Sequence, residues 1–400
     1  SQYLYFIYMF DHFAKSIGKG QPGKIKPSAG SHRLLAWRWL FPLAAVHAAL
    51  LVPLSLLAAY HAWPLQLATP AAHAREMLFG FALAVIAGYL LGPVPRRRLL
   101  ALALLWLAGR LSVLEWPGAG VAVLADGIFV VWVALLLVPR FMAARKWRNR
   151  LLSPLLGLIC LLALFTLVQV LLGKLPTSTI MLHHSVLWLV LLMVFMGGRF
   201  IAPAVNGYMM RTFRQPGAGV QPRIEAALIL LLGLANMLML WAPLRPWAVL
   251  LPLAAAGLIG WRIYRWQPLR CRTRPDLLVP MLGYGWLAIG LILLAHSWWA
   301  PEHTGSALHA FTVGALGTLA SSIMLRHVIL RAKHYPEREW SLWVLAGLFA
   351  LAALLRLWAF QSGSSWLALL WGSALAWSLA WLLVAWRLWV WIVRLPERNG

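Results

Sequence analysis

Twelve apolar stretches, each long enough to cross a bilayer, take up most of this 400-residue chain and leave little else to build with. A composition of 62% hydrophobic and 11% charged residues cannot supply both a core and a water-facing surface, so lipid must be the solvent. A hydrocarbon core of about 30 Å needs roughly 20 apolar residues per helix. That length places spans near 34–60, 76–94, 98–115, 119–139, 151–172 and 182–203. Six more fall near 223–242, 246–264, 277–297, 306–329, 341–360 and 365–393. The fold expected is an all-α polytopic membrane protein. It divides into an N-terminal segment 1–33, a twelve-helix domain 34–393 and a tail 394–400.

The formal net charge of +25 is distributed unevenly. Arg96 to Arg98, Arg140 with Arg145 to Arg150, Arg211 and Arg214, Arg262 to Arg274, Arg331 to Arg338 and Arg394 fall in alternate gaps. The other gaps hold little beyond Arg75, Lys174 and Arg245. Basic residues of short loops stay cytoplasmic, which predicts both termini inside and a basic belt facing anionic headgroups rather than nucleic acid. Residues 3–10 form an apolar run too short to span, followed by a glycine- and proline-rich linker. Cys160 and Cys271 fall on different elements and imply no disulfide or thiolate site.

Ionisable residues at membrane depth are costly and call for a functional explanation. His73 begins span two, His183 and His184 begin span six, His296 ends span nine, His303 follows it and His309 begins span ten. All fall near the non-cytoplasmic face, with His61 on the same side and His47 deeper in span one. Neutral imidazole is a common ligand for iron, copper and zinc. Metal ligation is therefore expected among His47, His73, His183, His184 and His309. His183 and His184 diverge by about 100° on a helix, so one of the two at most is a direct ligand. A lone histidine at a helix end can equally be a satisfied polar residue. Arg110 and Arg356, in the outer half, offer a guanidinium fork to a carboxylate such as a haem propionate. Glu76, Glu115 and Asp126 are the alternative partners of Arg110 and Arg356. Arg199 and Arg326 are expected to snorkel. With ten acidic residues, a carboxylate proton relay is poorly supported.

Span ten carries Gly314, Gly317, Ser321 and Ser322, and span two carries Gly80, Ala84 and Gly88. Such faces allow close helix packing, the favoured reading, or let a flat macrocycle lie against backbone.

Three stretches resemble the NnrS family of bacterial membrane proteins. HAREMLFGFALAVIAGYLLGP from His73 is similar to its second span. GGRFIAP from Gly197 resembles its GGR-[VI]-x-P motif, and HAFTVGALGT from His309 resembles its span-ten signature. The resemblance implies a haem- and copper-containing inner-membrane protein of nitric oxide metabolism or nitrosative-stress resistance. It implies an electron donor as partner, and a second copy of the chain is a further expected partner. Where the family commonly reads H-x-H-E-M, this chain has Arg75 at the second histidine. The topology also resembles the haem–copper oxidase catalytic subunit, by which His73 and His309 become an axial pair with His183 or His184 near a second site. A secondary transporter and a cofactor-free structural subunit are the competing readings. The tryptophan-rich final span would serve the latter as a docking surface.

Overall fold

The computed structural model describes residues 33–61, 67–115, 119–239, 249–361 and 363–395. The N-terminal segment through residue 32 and the last five residues of the tail lie outside them, as do Arg245 and the side chains of His61 and Glu115.

Twelve helices of sixteen residues or more are present among the described residues. They are α1 (Trp37–His61), α2 (Pro70–Leu91), α3 (Arg96–Glu115), α4 (Ala119–Met142), α5 (Leu152–Leu171) and α6 (Leu175–Phe213). The second half adds α7 (Pro222–Leu238), α8 (Leu250–Arg265), α9 (Pro275–His296), α10 (Pro301–Arg331), α11 (Ser341–Ala359) and α12 (Trp366–Val393). Nine of them, all but α3, α7 and α8, are long and apolar enough to cross a membrane. The exceptions have simple causes. Among the described residues α7 and α8 span 17 and 16 residues, short of the roughly 20 a bilayer requires. α3 opens on Arg96, Arg97 and Arg98. α6 runs to 39 residues, beyond the expected 182–203 at both ends, and continues through Pro203.

The chain divides into two compact units, residues 1–185 and 186–400, with α6 contributing to each. In the first, α1 packs on α2, α3 on α4 and α4 on α5. A two-stranded antiparallel ribbon, β1 (Arg33–Leu35) with β2 (Pro93–Pro95), was not expected from the sequence. Gly92, at φ 63°, turns the end of α2 into β2 in a conformation that favours glycine. Arg140 donates to the Leu90 and Leu91 carbonyls at 3.1 and 2.6 Å, satisfying acceptors that a helix end leaves open. In the second unit α9 is central, packing against α8, α10 and α11, while α12 packs on α10 and α11. Cys160 and Cys271 are both buried and unbridged.

Two helices share an irregularity. α2 is π-helical over Glu76–Ala82 and α10 over Ala310–Leu316, seven residues in each case. A π segment widens the helix by one residue and is frequent at functional sites. Each follows a histidine singled out by the sequence, His73 three residues earlier and His309 immediately before.

Candidate functional site

In the second unit, His309 closes the turn Thr304–His309, and its Nδ1 lies 2.6 Å from the Gly305 carbonyl oxygen. A carbonyl only accepts, so Nδ1 carries the hydrogen, and in the neutral ring Nε2 is the nitrogen with the lone pair. Anchoring one imidazole nitrogen on backbone is how metal-ligating histidines are oriented. Gly305 also makes room: a Cβ there would sit 2.5 Å from Phe360. The Phe360 ring lies 5.9 Å from the His309 ring, and the Arg356 guanidinium stands 4.3 Å from the Phe360 centroid. Two residues proposed from the sequence, His309 and Arg356, thus meet the same aromatic ring.

The small residues of α10 are filled by neighbours. A Cβ on Gly314 would meet Trp286 at 2.5 Å, and one on Gly317 would meet Phe349 at 2.6 Å and Trp377 at 3.0 Å. Ser321 and Ser322 bond back to the Thr318 carbonyl. The packing reading of this face therefore accounts for it.

In the first unit, Ser55 donates to the Leu51 carbonyl at 2.9 Å and lies 3.2 Å from His73 Nδ1. Its hydroxyl hydrogen being committed, Ser55 accepts from Nδ1–H, and His73 takes the same tautomer as His309. Below it stands a charged cluster. Glu76, 1% exposed, holds Oε2 at 3.1 Å from Arg110 Nη1 and 3.7 Å from His47 Nε2. The other nitrogen of the Arg110 fork bonds Asp126. Arg75 is buried, with Nε 3.9 Å from Glu76 Oε1. Trp106 donates to the Gly80 carbonyl at 2.8 Å and meets His47 edge-on at 5.5 Å. A Cβ on Gly80 would lie 1.8 Å from Arg110 Nη1, and one on Gly109 would lie 2.6 Å from Asp126. Glycine here admits the ions to the helix surface.

Arg110, expected to face a propionate, therefore has Glu76 and Asp126, two of the alternatives weighed for it, as its partners. Arg75, in the place of the family histidine, extends the same cluster. Several polar atoms within it lack a hydrogen-bond partner: His47 Nε2, Arg75 Nε, Glu76 Oε1, and Nε and Nη1 of Arg110. His183 and His184 are consecutive residues of α6, with His184 buried. Among the described residues, no three His, Cys, Asp or Glu side chains gather as a metal site.

The GGR motif explains itself by packing. Gly197 faces Tyr284, where a Cβ would be 3.1 Å from the ring, and Gly198 faces Arg262, where it would be 2.4 Å from the guanidinium. Arg262 is fully buried and donates to the Tyr284 hydroxyl at 3.0 Å and the Val220 carbonyl at 2.8 Å. Arg199 and Arg326 do not simply snorkel, because each meets a buried carboxylate. Arg199 bonds Glu225 at 3.1 Å, and Arg326 pairs with Asp276. Glu339 completes the pattern, held by both arms of Arg387 at 2.8 Å and by Trp391 at 3.0 Å. The buried carboxylates are thus engaged by arginine. The partners Arg262, Tyr284 and Glu225 were missed from the sequence, where the only signal was the glycine pair itself.

None of the curated proteins matches the chain. The family model described as NnrS protein matches residues 33–395, nearly the whole length. This membrane protein therefore belongs to the NnrS family.

Proposed function

We propose that this chain is a haem-bearing protein of the bacterial inner membrane, in which His309, near the periplasmic side, would hold the haem iron. Its ligand would be nitric oxide, or a similarly small neutral gas. The observation that carries this reading is the His309 anchor: with Nδ1 fixed at 2.6 Å on the Gly305 carbonyl, Nε2 of the neutral ring is the atom that would ligate. The donor set of the second unit suits a haem in one further respect. Arg356 brings a guanidinium to the same Phe360 ring, a placement suited to a propionate.

Haem, when bound, supplies iron that ligates gas or passes an electron. The chain's own contribution is orientation and exclusion of water. His309 is held by backbone, so its ring stays aligned without reorganising. Trp286, Phe349 and Trp377 close the small-residue face of α10 and keep water from the interior, through which a neutral gas partitions from lipid. Arg110 of the charged cluster is paired with Glu76 and Asp126, and the propionate role is proposed for Arg356.

Optical spectra of the purified protein, oxidised and reduced, before and after nitric oxide, test the reading. A Soret band that moves with nitric oxide, and is lost or altered in His309→Ala, is expected. A colourless protein after haem-replete expression overturns it.

A further inference from the structure

The two side chains that α10 and α11 bring together each belong to a pair four residues apart on its own helix. On α10, His309 reaches back to the Gly305 carbonyl. On α11, the Arg356 guanidinium lies 4.3 Å from the ring centroid of Phe360, the residue that caps the helix. Residues at i and i+4 share a helix face, and the first turn of α10, Thr304–His309, packs against α11. The two pairs meet at Phe360. A Cβ on Gly305 would lie 2.5 Å from Phe360 Cζ and 2.8 Å from Cε1, so the tip of the ring rests on the Gly305 backbone.

That contact falls on the atom group that sets the His309 tautomer. A hydrogen bond open to water gives up its protein partner at little cost, whereas an apolar ring against the acceptor's turn removes competing solvent. A turn that is held in place also keeps the Gly305 carbonyl within reach of Nδ1. The face of the ring has a separate task, because its quadrupole attracts the guanidinium. An aliphatic side chain of similar bulk performs the first task and not the second. Gly305 is the matching half: its helical backbone would accept alanine, and it is the Phe360 ring that leaves no room for one.

We infer that Phe360 is a positioning residue: its tip secures the Gly305 turn so that His309 keeps one tautomer, and its face holds Arg356 beside that imidazole. As the orienter of a haem ligand it rests on the function proposed above. Its hold on the His309 ring is a property of the chain itself.

The test is ¹⁵N spectroscopy of the histidine-labelled, full-length protein in detergent, purified without added haem, with the His309 resonances assigned by their loss in His309→Ala. Wild type is expected to show the Nδ1–H tautomer. Phe360→Ala should move the tautomer ratio by about tenfold toward Nε2–H, the worth of one hydrogen bond, while Phe360→Leu keeps the wild-type pattern. Gly305→Ala, which drives the ring off the turn, should reproduce the Phe360→Ala spectrum. The double variant should be no worse than Phe360→Ala alone, the non-additivity of residues in contact. A merely structural role would lower stability and leave the tautomer where it is. An unmoved tautomer in Phe360→Ala, or effects of the two substitutions that simply add, overturns the inference. This readout needs no haem, so a colourless wild type after haem-replete expression fails the haem reading alone, and an unmoved tautomer beside a normal Soret band fails this inference alone.

Discussion

The π segments of α2 and α10 follow histidines whose Nδ1 atoms each donate to an oxygen, the Ser55 hydroxyl for His73 and the Gly305 carbonyl for His309, yet what lies beneath them differs. Under His73 the wall is ionic: Glu76, Arg110, Asp126 and Arg75, with His47 at its edge. Under His309 it is aromatic: Trp286, Phe349 and Trp377, with Phe360 beside the imidazole itself. Glycine serves both. Gly80 admits a guanidinium to the helix backbone, whereas Gly314 and Gly317 admit rings. One motif, a histidine above a widened small-residue turn, thus supports two chemistries according to what the neighbouring helices bring to it. An ionic wall in an apolar interior makes its partners interdependent, because removing one leaves the others charged and unscreened. An aromatic wall tolerates loss in proportion to area.

The largest expected effect breaks the ionic side. Arg110→Ala leaves Glu76 and Asp126 uncompensated and should cost about 3–5 kcal/mol. Arg356→Ala, on a half-buried side chain that rests on Phe360, should cost no more than about 1 kcal/mol. Thermal unfolding in one detergent measures both, and similar losses would erase the distinction. Next come the glycines. Gly80→Ala pushes on a guanidinium pinned by two carboxylates, and Gly317→Ala on Phe349, with overpacking worth about 1–3 kcal/mol. Gly80→Ala is expected at the upper end, with Gly317→Ala offset by alanine's better helix propensity. A reversed order would mean that the ionic wall yields more readily than the aromatic one. The smallest effect is Ser55→Ala, which removes the acceptor for His73 Nδ1–H at about 1 kcal/mol. It should loosen the His73 ring, read as broadened imidazole resonances, while leaving those of His309 unchanged.

How much of this was legible from the sequence follows from the range of each interaction. Apolar periodicity gave the helices closely: 341–360 against Ser341–Ala359, and 365–393 against Trp366–Val393. For α7 and α8 the expected spans 223–242 and 246–264 run into residues 240–248, outside the described residues. His309 and Arg356 were picked out separately by depth and charge, but that they meet at Phe360 depends on how α10 and α11 pack. Arg110 was recognised as needing a partner, and Glu76 and Asp126 were named. Sequence could not decide between them and a propionate, because the answer lies in how α2, α3 and α4 come together. The π segments left no periodic signal, since one inserted residue in a uniformly apolar helix changes no pattern. The glycines of GGR were visible, whereas Tyr284 and Arg262 stand more than sixty residues away in the chain.

The most direct test of the account is the reduced optical spectrum of His309→Ala beside His47→Ala, each purified at matched folded yield. The account predicts that His309→Ala loses or shifts the Soret band, while His47→Ala, whose imidazole belongs to the ionic cluster, retains it. A Soret band unchanged in His309→Ala and lost in His47→Ala would contradict the assignment and move the haem to the ionic wall of α2.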